Sequence, residues 1–167
     1  MGSKSTKLWE HGRLQIITNG SNFVPGQVVS GNINAQLDQS YPGKQLTIEI
    51  VGVEKVKFTT NQGKHSHTVK NKHEAVHTTS VIQIFQNGIL CAGYHSFPFA
   101  VELPNWLQSS FVYTHGYPDQ SKHRLKYKLR AKILDGSCNQ KPMHPMISKK
   151  MLVVSRIPDN PRFNVAM

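Results

Sequence analysis

The chain has 167 residues, of which 38% are hydrophobic, and its 20 lysines and arginines against nine aspartates and glutamates give a formal net charge of +11. This length and composition suit one folded domain with a sizeable core and exclude a disordered polymer. No run approaches the roughly 18 apolar residues that a membrane-spanning helix needs, and only two cysteines occur, so we expect a soluble cytoplasmic protein with free thiols.

The first residues match a lipidation pattern. Met1 to Thr6 spell M-G-S-K-S-T, which fits the M-G-x-x-x-[ST] signal for N-myristoylation, with Gly2 as the acceptor once Met1 is removed. One myristoyl chain binds membranes only marginally, and the positive charge would supply a second signal. We therefore assign residues 1–12 to an N-terminal segment with a myristoylation signal, which would hold the protein peripherally on the cytoplasmic face of membranes. The alternative is a scar of cloning, because Gly-Ser after Met is common at engineered starts.

Residues 13–157 predict strands separated by turn signals, with almost no helical periodicity. The predicted strands cover residues 13–18, 28–37, 45–58, 78–85, 94–103, 111–114, 122–133 and 151–154. Residues 59–72 are polar and predict an exposed hairpin loop. About eight strands with regular turns indicate an all-β, immunoglobulin-like β-sandwich, and residues 158–167 are predicted to be a C-terminal tail or linker.

Three glycines have specific predicted roles. Phe23 to Gly26 predicts a type II turn, in which Pro25 sets φ and Gly26 supplies a positive φ. Gly31 lies inside a predicted strand and indicates a bulge or a close backbone approach. Gly52 is expected to bend the long strand that contains it.

The strongest local signal is an alternation of cations and apolar residues just before Asp135. A period of two predicts a strand with one face in the core and the other in solvent. The cations, called the basic row below, are Lys122, Arg124, Lys126, Lys128, Arg130 and Lys132. Like charges in a row repel, so the row is either a solvated outer face that discourages aggregation or a site for an anionic partner.

Nucleic acid is the rival partner for the basic row, because its cations could follow phosphates. However, no aromatic residue alternates with the cations on the exposed face to stack bases, so we favour a phosphorylated tail or anionic lipid. A structural subunit that pairs through an edge strand is a further alternative.

Residues 73–77 match the H-E-x-x-H signature of zinc proteases, which needs both histidines on one helical face. The β-branched residues that follow predict a strand, on which His73 and His77 would lie about 13 Å apart, too far for one metal ion. We therefore expect no metal, cofactor or catalytic site. A surface zinc site that adds His65 and His67 stays open.

Three segments together resemble the N-terminal half of arrestins, particularly the α-arrestins and other arrestin-domain proteins. They are FVPGQVVSG at residues 23–31, GYHSFPF followed by LPNWLQSSF at residues 93–111, and YKLRAK at residues 127–132. Their order and spacing extend over about 110 residues, which makes the resemblance more specific than any one fragment.

The resemblance implies an immunoglobulin-like sandwich, usually one of two tandem lobes, in a non-enzymatic adaptor. Such adaptors act in protein transport, endocytosis and signalling, and they bind membrane-protein cytoplasmic tails or trafficking proteins. A second arrestin lobe or a partner subunit is therefore an expected partner. We predict that the basic row binds phosphorylated tails or an anionic membrane surface.

Three departures from the arrestin pattern matter. Gln108 replaces the usual second proline of the L-P-x-x-L-P turn, which leaves the rigidity of that turn open. No P-P-x-Y motif for ubiquitin-ligase recruitment occurs. Residues 151–155 lack the arginine that anchors the buried polar core of receptor arrestins, so a phosphate-triggered release of that kind is unsupported.

Overall fold

The structure, a computed structural model, describes residues 11–116, 120–134 and 146–156, which form nine strands and one 3-10 turn. In chain order the elements are β1 (Gly12–Thr18), β2 (Asn22–Phe23), β3 (Val28–Leu37), β4 (Gln45–Gln62), β5 (His65–Ile84), the 3-10 turn (Gln86–Gly88), β6 (Gly93–Glu102), β7 (Phe111–His115), β8 (Gln120–Leu134) and β9 (Met146–Val154). The all-β prediction is confirmed. Within these residues, no helix has the length and apolar character needed to cross a membrane.

The strands form two sheets in a sandwich-like arrangement, as predicted. The smaller sheet has the order β1-β3-β6, with all pairs antiparallel. The larger sheet has the order β2-β9-β8-β4-β5, and β7 also pairs with β8. Pro98 lies in β6, an edge strand of the smaller sheet, which is where proline is tolerated in sheets.

The core lies between the two sheets and is built by alternation in the strands. Leu14, Ile33 and Phe99 of the smaller sheet are each at most 5% exposed, and so are Ile48 and Leu129 of the larger sheet. Because strand side chains alternate between faces, the residues between these positions point away from the core. The larger sheet therefore presents a continuous outer face to solvent.

Tyr127 of β8 ties this core to the loop before β7. Its side chain is 1% exposed, and its hydroxyl donates a hydrogen bond to the carbonyl oxygen of Gln108 at 3.0 Å. Burial raises the pKa of Tyr127, so the hydroxyl keeps the proton that it donates. The loop that lacks the second proline is thus held by a partly buried hydrogen bond.

Two of the predicted local features are confirmed. The N–H of Gln27 donates to the carbonyl oxygen of Val24 at 3.0 Å and Gly26 has a φ of +81°, as a type II turn requires. Gly31 makes a close backbone approach, because a Cβ there would lie 2.0 Å from the carbonyl oxygen of Ile17. The pairing shifts by one residue at Gly52, which marks a β-bulge in the long β4–β5 ladder.

The prediction of a loop at residues 59–72 is wrong. Strand β4 continues to Gln62 and β5 begins at His65, so the turn itself is only two residues long, and Gly63 takes a φ of +59° in it. The two threonine hydroxyls of Thr59 and Thr68 face each other across the ladder at 3.0 Å. Backbone pairing with a neighbouring strand keeps this polar segment extended, although it has no apolar pattern.

Strand β9, which is near the end of the described chain, pairs with β2, which is near its start. It pairs antiparallel with β8 and parallel with β2, where Phe23 lies opposite Val154. The N–H of Ser155 donates to the carbonyl oxygen of Phe23 at 2.9 Å, and the N–H of Ser110 donates to that of Val154 at 2.7 Å. The end of β9 thus fastens β2 and the start of β7.

We predict that Gly31→Ala lowers the free energy of unfolding by about 1–3 kcal/mol, because its Cβ would overlap the Ile17 carbonyl and push β1 from β3. Gly116→Ala is the control, since a Cβ at Gly116 has no neighbour within 4 Å among the described residues. Urea unfolding of both variants checks the prediction, and equal stability of the two would contradict it.

Candidate anion-binding surface

The alternation predicted for β8 is confirmed. The inward residues Leu125, Tyr127, Leu129, Ala131 and Ile133 are each at most 3% exposed. The cations of the basic row lie on the opposite side of the strand and are exposed or half-buried. Strand β8 lies between β4 on one side and β7 with β9 on the other, so the row runs along the middle of the outer face.

One end of the basic row is already partly neutralised inside the protein. Glu49 of β4 lies directly opposite Arg130, and its side chain is 8% exposed. The Nε of Arg130 donates to Oε2 of Glu49, and the Nζ of Lys132 donates to Oε1 at 2.7 Å. Arg130 and Lys132, two of the six cations predicted to bind an anion, therefore already share an internal carboxylate. Anion binding by the basic row stays a prediction.

The electrostatics of Glu49 follow from this pairing. Burial alone would raise the pKa of its carboxyl group, but the hydrogen bonds and positive charges of Lys132 and Arg130 outweigh burial, and the net pKa is lowered. His77 lies 3.6 Å from the same carboxylate. Glu49 is thus a stable anion at neutral pH.

The other end of the row is uncompensated. Among the described residues, no acidic group pairs with Lys122, Arg124, Lys126 or Lys128. Burial lowers the pKa of Lys128, and the charges of Lys149, Arg130, Lys72 and Lys55 lower it further. An anion bound near Lys128 would offset the repulsion from these neighbouring cations.

Four lysines that were not predicted from the sequence widen this surface. Lys55 and Lys57 of β4 pair with Lys72 and Lys70 of β5, respectively, and on their other side with Arg124 and Lys122 of β8. Two rows of three cations therefore cross the sheet, about 6.6 Å apart along the strands. They surround an open cavity of about 410 Å³.

The spacing of these lysines is visible in the sequence, but the spacing alone does not show which strands they lie beside. Lys55 and Lys57, like Lys70 and Lys72, are two positions apart, which on strands places each pair on one face. The pairs lie near β8 because β5 pairs with β4 and β4 pairs with β8, and the register of these ladders is set by the tertiary fold. The assumption of a loop at residues 59–72 also hid one pair.

The H-E-x-x-H segment lies on β5, not on a helix, so the zinc-protease geometry is absent there. His77 Nδ1 lies 3.0 Å from Glu74 Oε1, which pairs the motif's histidine with its own glutamate. His65 and His77 are twelve positions apart on one strand, about 40 Å. Within the described chain, no cluster of His, Cys, Asp and Glu side chains could hold a metal ion.

Gly2, the predicted lipidation site, lies outside the described residues.

Comparison with known proteins gives one family match that covers most of the chain. The model of "Arrestin (or S-antigen), N-terminal domain" matches residues 14–157. Arrestin domain-containing protein A of Dictyostelium discoideum is 26% identical over 112 residues, a match that covers 60% of this chain and 19% of that protein. The chain thus spans about a fifth of that relative's length.

Among solved structures, the sporulation control protein Spo0M from Bacillus subtilis shares the fold. The TM-score is 0.52 at 13% identity, and the match covers 87% of this chain and 49% of that one. At this identity the likeness concerns architecture alone.

We predict that Glu49→Gln lowers the free energy of unfolding by about 1–3 kcal/mol at neutral pH, because Arg130 and Lys132 lose their shared counter-charge. The folded-state pKa of Glu49 lies below its ordinary value of 4.5. Its contribution is therefore present above pH 4.5 and is lost as the pH falls through the folded-state pKa. Denaturant unfolding across acidic pH measures the difference, which should shrink over that range. Glu102→Gln is the control; an equal effect there would contradict the prediction.

Proposed function

The chain belongs to the arrestin family, with an arrestin N-terminal domain at residues 14–157, and we propose that it is a non-enzymatic adaptor that binds phosphorylated cytoplasmic tails of membrane proteins. Membership in the family indicates the adaptor role. The binding mode is inferred from the outer face of the larger sheet. Trafficking or signalling is the setting in which such an adaptor would act.

The observation that carries this proposal is the uneven neutralisation of the basic row. Glu49 pairs with Arg130 and Lys132, whereas Lys122, Arg124 and Lys126 have no acidic partner among the described residues. A fold gains nothing by concentrating cations, because they repel one another. A dianionic phosphate makes strong, charge-assisted hydrogen bonds with lysine and arginine and would remove this repulsion.

The spacing suits an extended phosphopeptide. Successive cations of the row are two residues apart, about 6.6 Å, and an extended peptide repeats its side chains on one side at the same interval. Phosphates on alternate residues could therefore follow Lys122, Arg124 and Lys126 in order. The lysines of β4 and β5 would add long-range attraction.

An anionic membrane surface is the second candidate partner. The observation that favours it is the myristoylation pattern at Gly2 together with the basic face, since one acyl chain and a cationic surface form the two signals of stable anchoring. In this alternative the same cations contact lipid headgroups, and the domain stays at the cytoplasmic face.

The test is fluorescence anisotropy with an extended peptide that carries phosphoserine at alternate positions. We expect Lys122→Gln/Arg124→Gln/Lys126→Gln to weaken binding by about tenfold or more, because three charge-assisted contacts are lost. Binding should also weaken as salt is raised.

The matched control is Arg13→Gln/Lys44→Gln/Lys64→Gln, which removes the same charge away from the basic row. It should change the affinity by less than about twofold, since distant charges are screened. Equal losses in the two variants would attribute binding to net charge and overturn the proposed site. Parallel sedimentation with phosphatidylserine vesicles tests the membrane candidate.

Myristoylation of Gly2 has its own prediction. Co-expression with an N-myristoyltransferase should add one myristoyl group, detected by intact-mass spectrometry, and Gly2→Ala should abolish it. The modified protein should sediment with anionic vesicles more than the unmodified one. An unmodified N-terminus would remove lipidation from the proposed function and leave the peptide site untouched.

A further inference from the structure

Two strands meet end to end along the same side of β8. Strand β7 pairs with β8 up to Leu125, which lies opposite Phe111, and β9 takes over at Tyr127, which lies opposite Leu152. Lys126 is the position between these two ladders. The junction forms an open groove of about 400 Å³ on the outer face, with Lys126 in its lining.

The walls of this groove are apolar. Val112 lies opposite Arg124 and Met151 lies opposite Lys128, so both side chains share the face of the basic row. Val153 follows Met151 on the same side of β9, beside Lys126. The side chains of Val112, Met151 and Val153 are 54%, 39% and 45% exposed, respectively. An apolar row therefore runs beside the uncompensated part of the basic row.

This juxtaposition suits a ligand with two chemistries. Single exposed apolar side chains are ordinary on protein surfaces, but contiguous ones beside a groove mark binding sites. A bare phosphate would use the cations and leave Val112 and Met151 in water. A ligand that also carries an apolar group would cover them, and apolar pockets with a few placed charges are typical of specific recognition.

We propose that the groove between β7 and β9 is the apolar subsite of the anion-binding surface, and that it takes a leucine-sized side chain two residues from a phosphorylated residue. The inference rests on the proposed function and adds its specificity. In an extended peptide, residues two apart project to the same side about 6.6 Å from each other. With the leucine in the groove, the phosphate would lie over the neighbouring cation of the basic row.

A peptide fits this arrangement better than a membrane does. The cations and the groove lie in one plane of the sheet, side by side, so both chemistries must be presented laterally at a fixed spacing. A peptide strand fixes that spacing covalently. A bilayer presents its charges at the surface and its apolar part below them, and would have to expose acyl chains beside the headgroups.

The experiment measures the affinities of four peptides with the intact chain. The peptides have serine or phosphoserine at one position and leucine or asparagine two residues later. In the unmutated protein, leucine should strengthen binding of the phosphopeptide by about tenfold, the effect of burying much of one such side chain. Val112→Thr/Met151→Gln, which keeps the shapes and removes the apolar character, should abolish that gain while the gain from phosphorylation remains.

The control variant is Val28→Thr/Val81→Thr, which changes two exposed valines on other strands and should keep the leucine gain. Circular dichroism and thermal unfolding establish that both variants are folded. If phosphorylation strengthens binding but leucine does not, the subsite is overturned and the proposed function stands. A leucine gain that survives Val112→Thr/Met151→Gln overturns it equally.

Two further outcomes separate the alternatives. If phosphorylation gives no gain with any peptide, the proposed function itself fails, and the subsite fails with it. If Val112→Thr/Met151→Gln weakens binding to phosphatidylserine vesicles but leaves all four peptide affinities unchanged, a lipid chain occupies the groove and the peptide proposal is overturned.

Discussion

Alternate residues of strand β8 face the apolar core and the solvent, and the rest of the domain depends on this alternation. Leu125, Tyr127 and Leu129 fill the core between the sheets, while the cations between them face solvent. A slip of one residue in the pairing with β4 would bury charges and expose the core, at a prohibitive cost. The register that protects the core therefore also fixes where each cation of the basic row lies.

The outer face is electrostatically unbalanced, and the repulsion among its cations costs stability. Glu49 reduces the repulsion between Arg130 and Lys132, and the nearly buried carboxylate is itself held ionised by them. No acidic group pairs with the cations at the opposite end of β8 within the described residues. Burial lowers the pKa of Lys128, and the charges of neighbouring cations lower it further. Proteins commonly accept such costs at functional surfaces, where a ligand relieves them.

The sequence was sufficient where local chemistry decided the structure. The alternation in β8, the turn at Gly26 and the close approach at Gly31 each have a short-range physical cause, and the order of the arrestin-like segments indicated the family. The sequence was insufficient where pairing with another strand determined the local structure. The polar segment at residues 59–72 is extended because two strands pair there, and Glu49 reaches Arg130 only through the ladder between β4 and β8.

The parallel pairing of β2 with β9 has a consequence for how the domain assembles. Phe23 and Val154 are neighbours in space but about 130 residues apart in the chain, so their contact closes almost the whole domain. During synthesis, the early strands emerge from the ribosome long before β9 does. Until β9 is available, their apolar sides lack part of the core that covers them. A chain truncated before Met146 would lack β9, so we expect it to aggregate more readily than the whole domain.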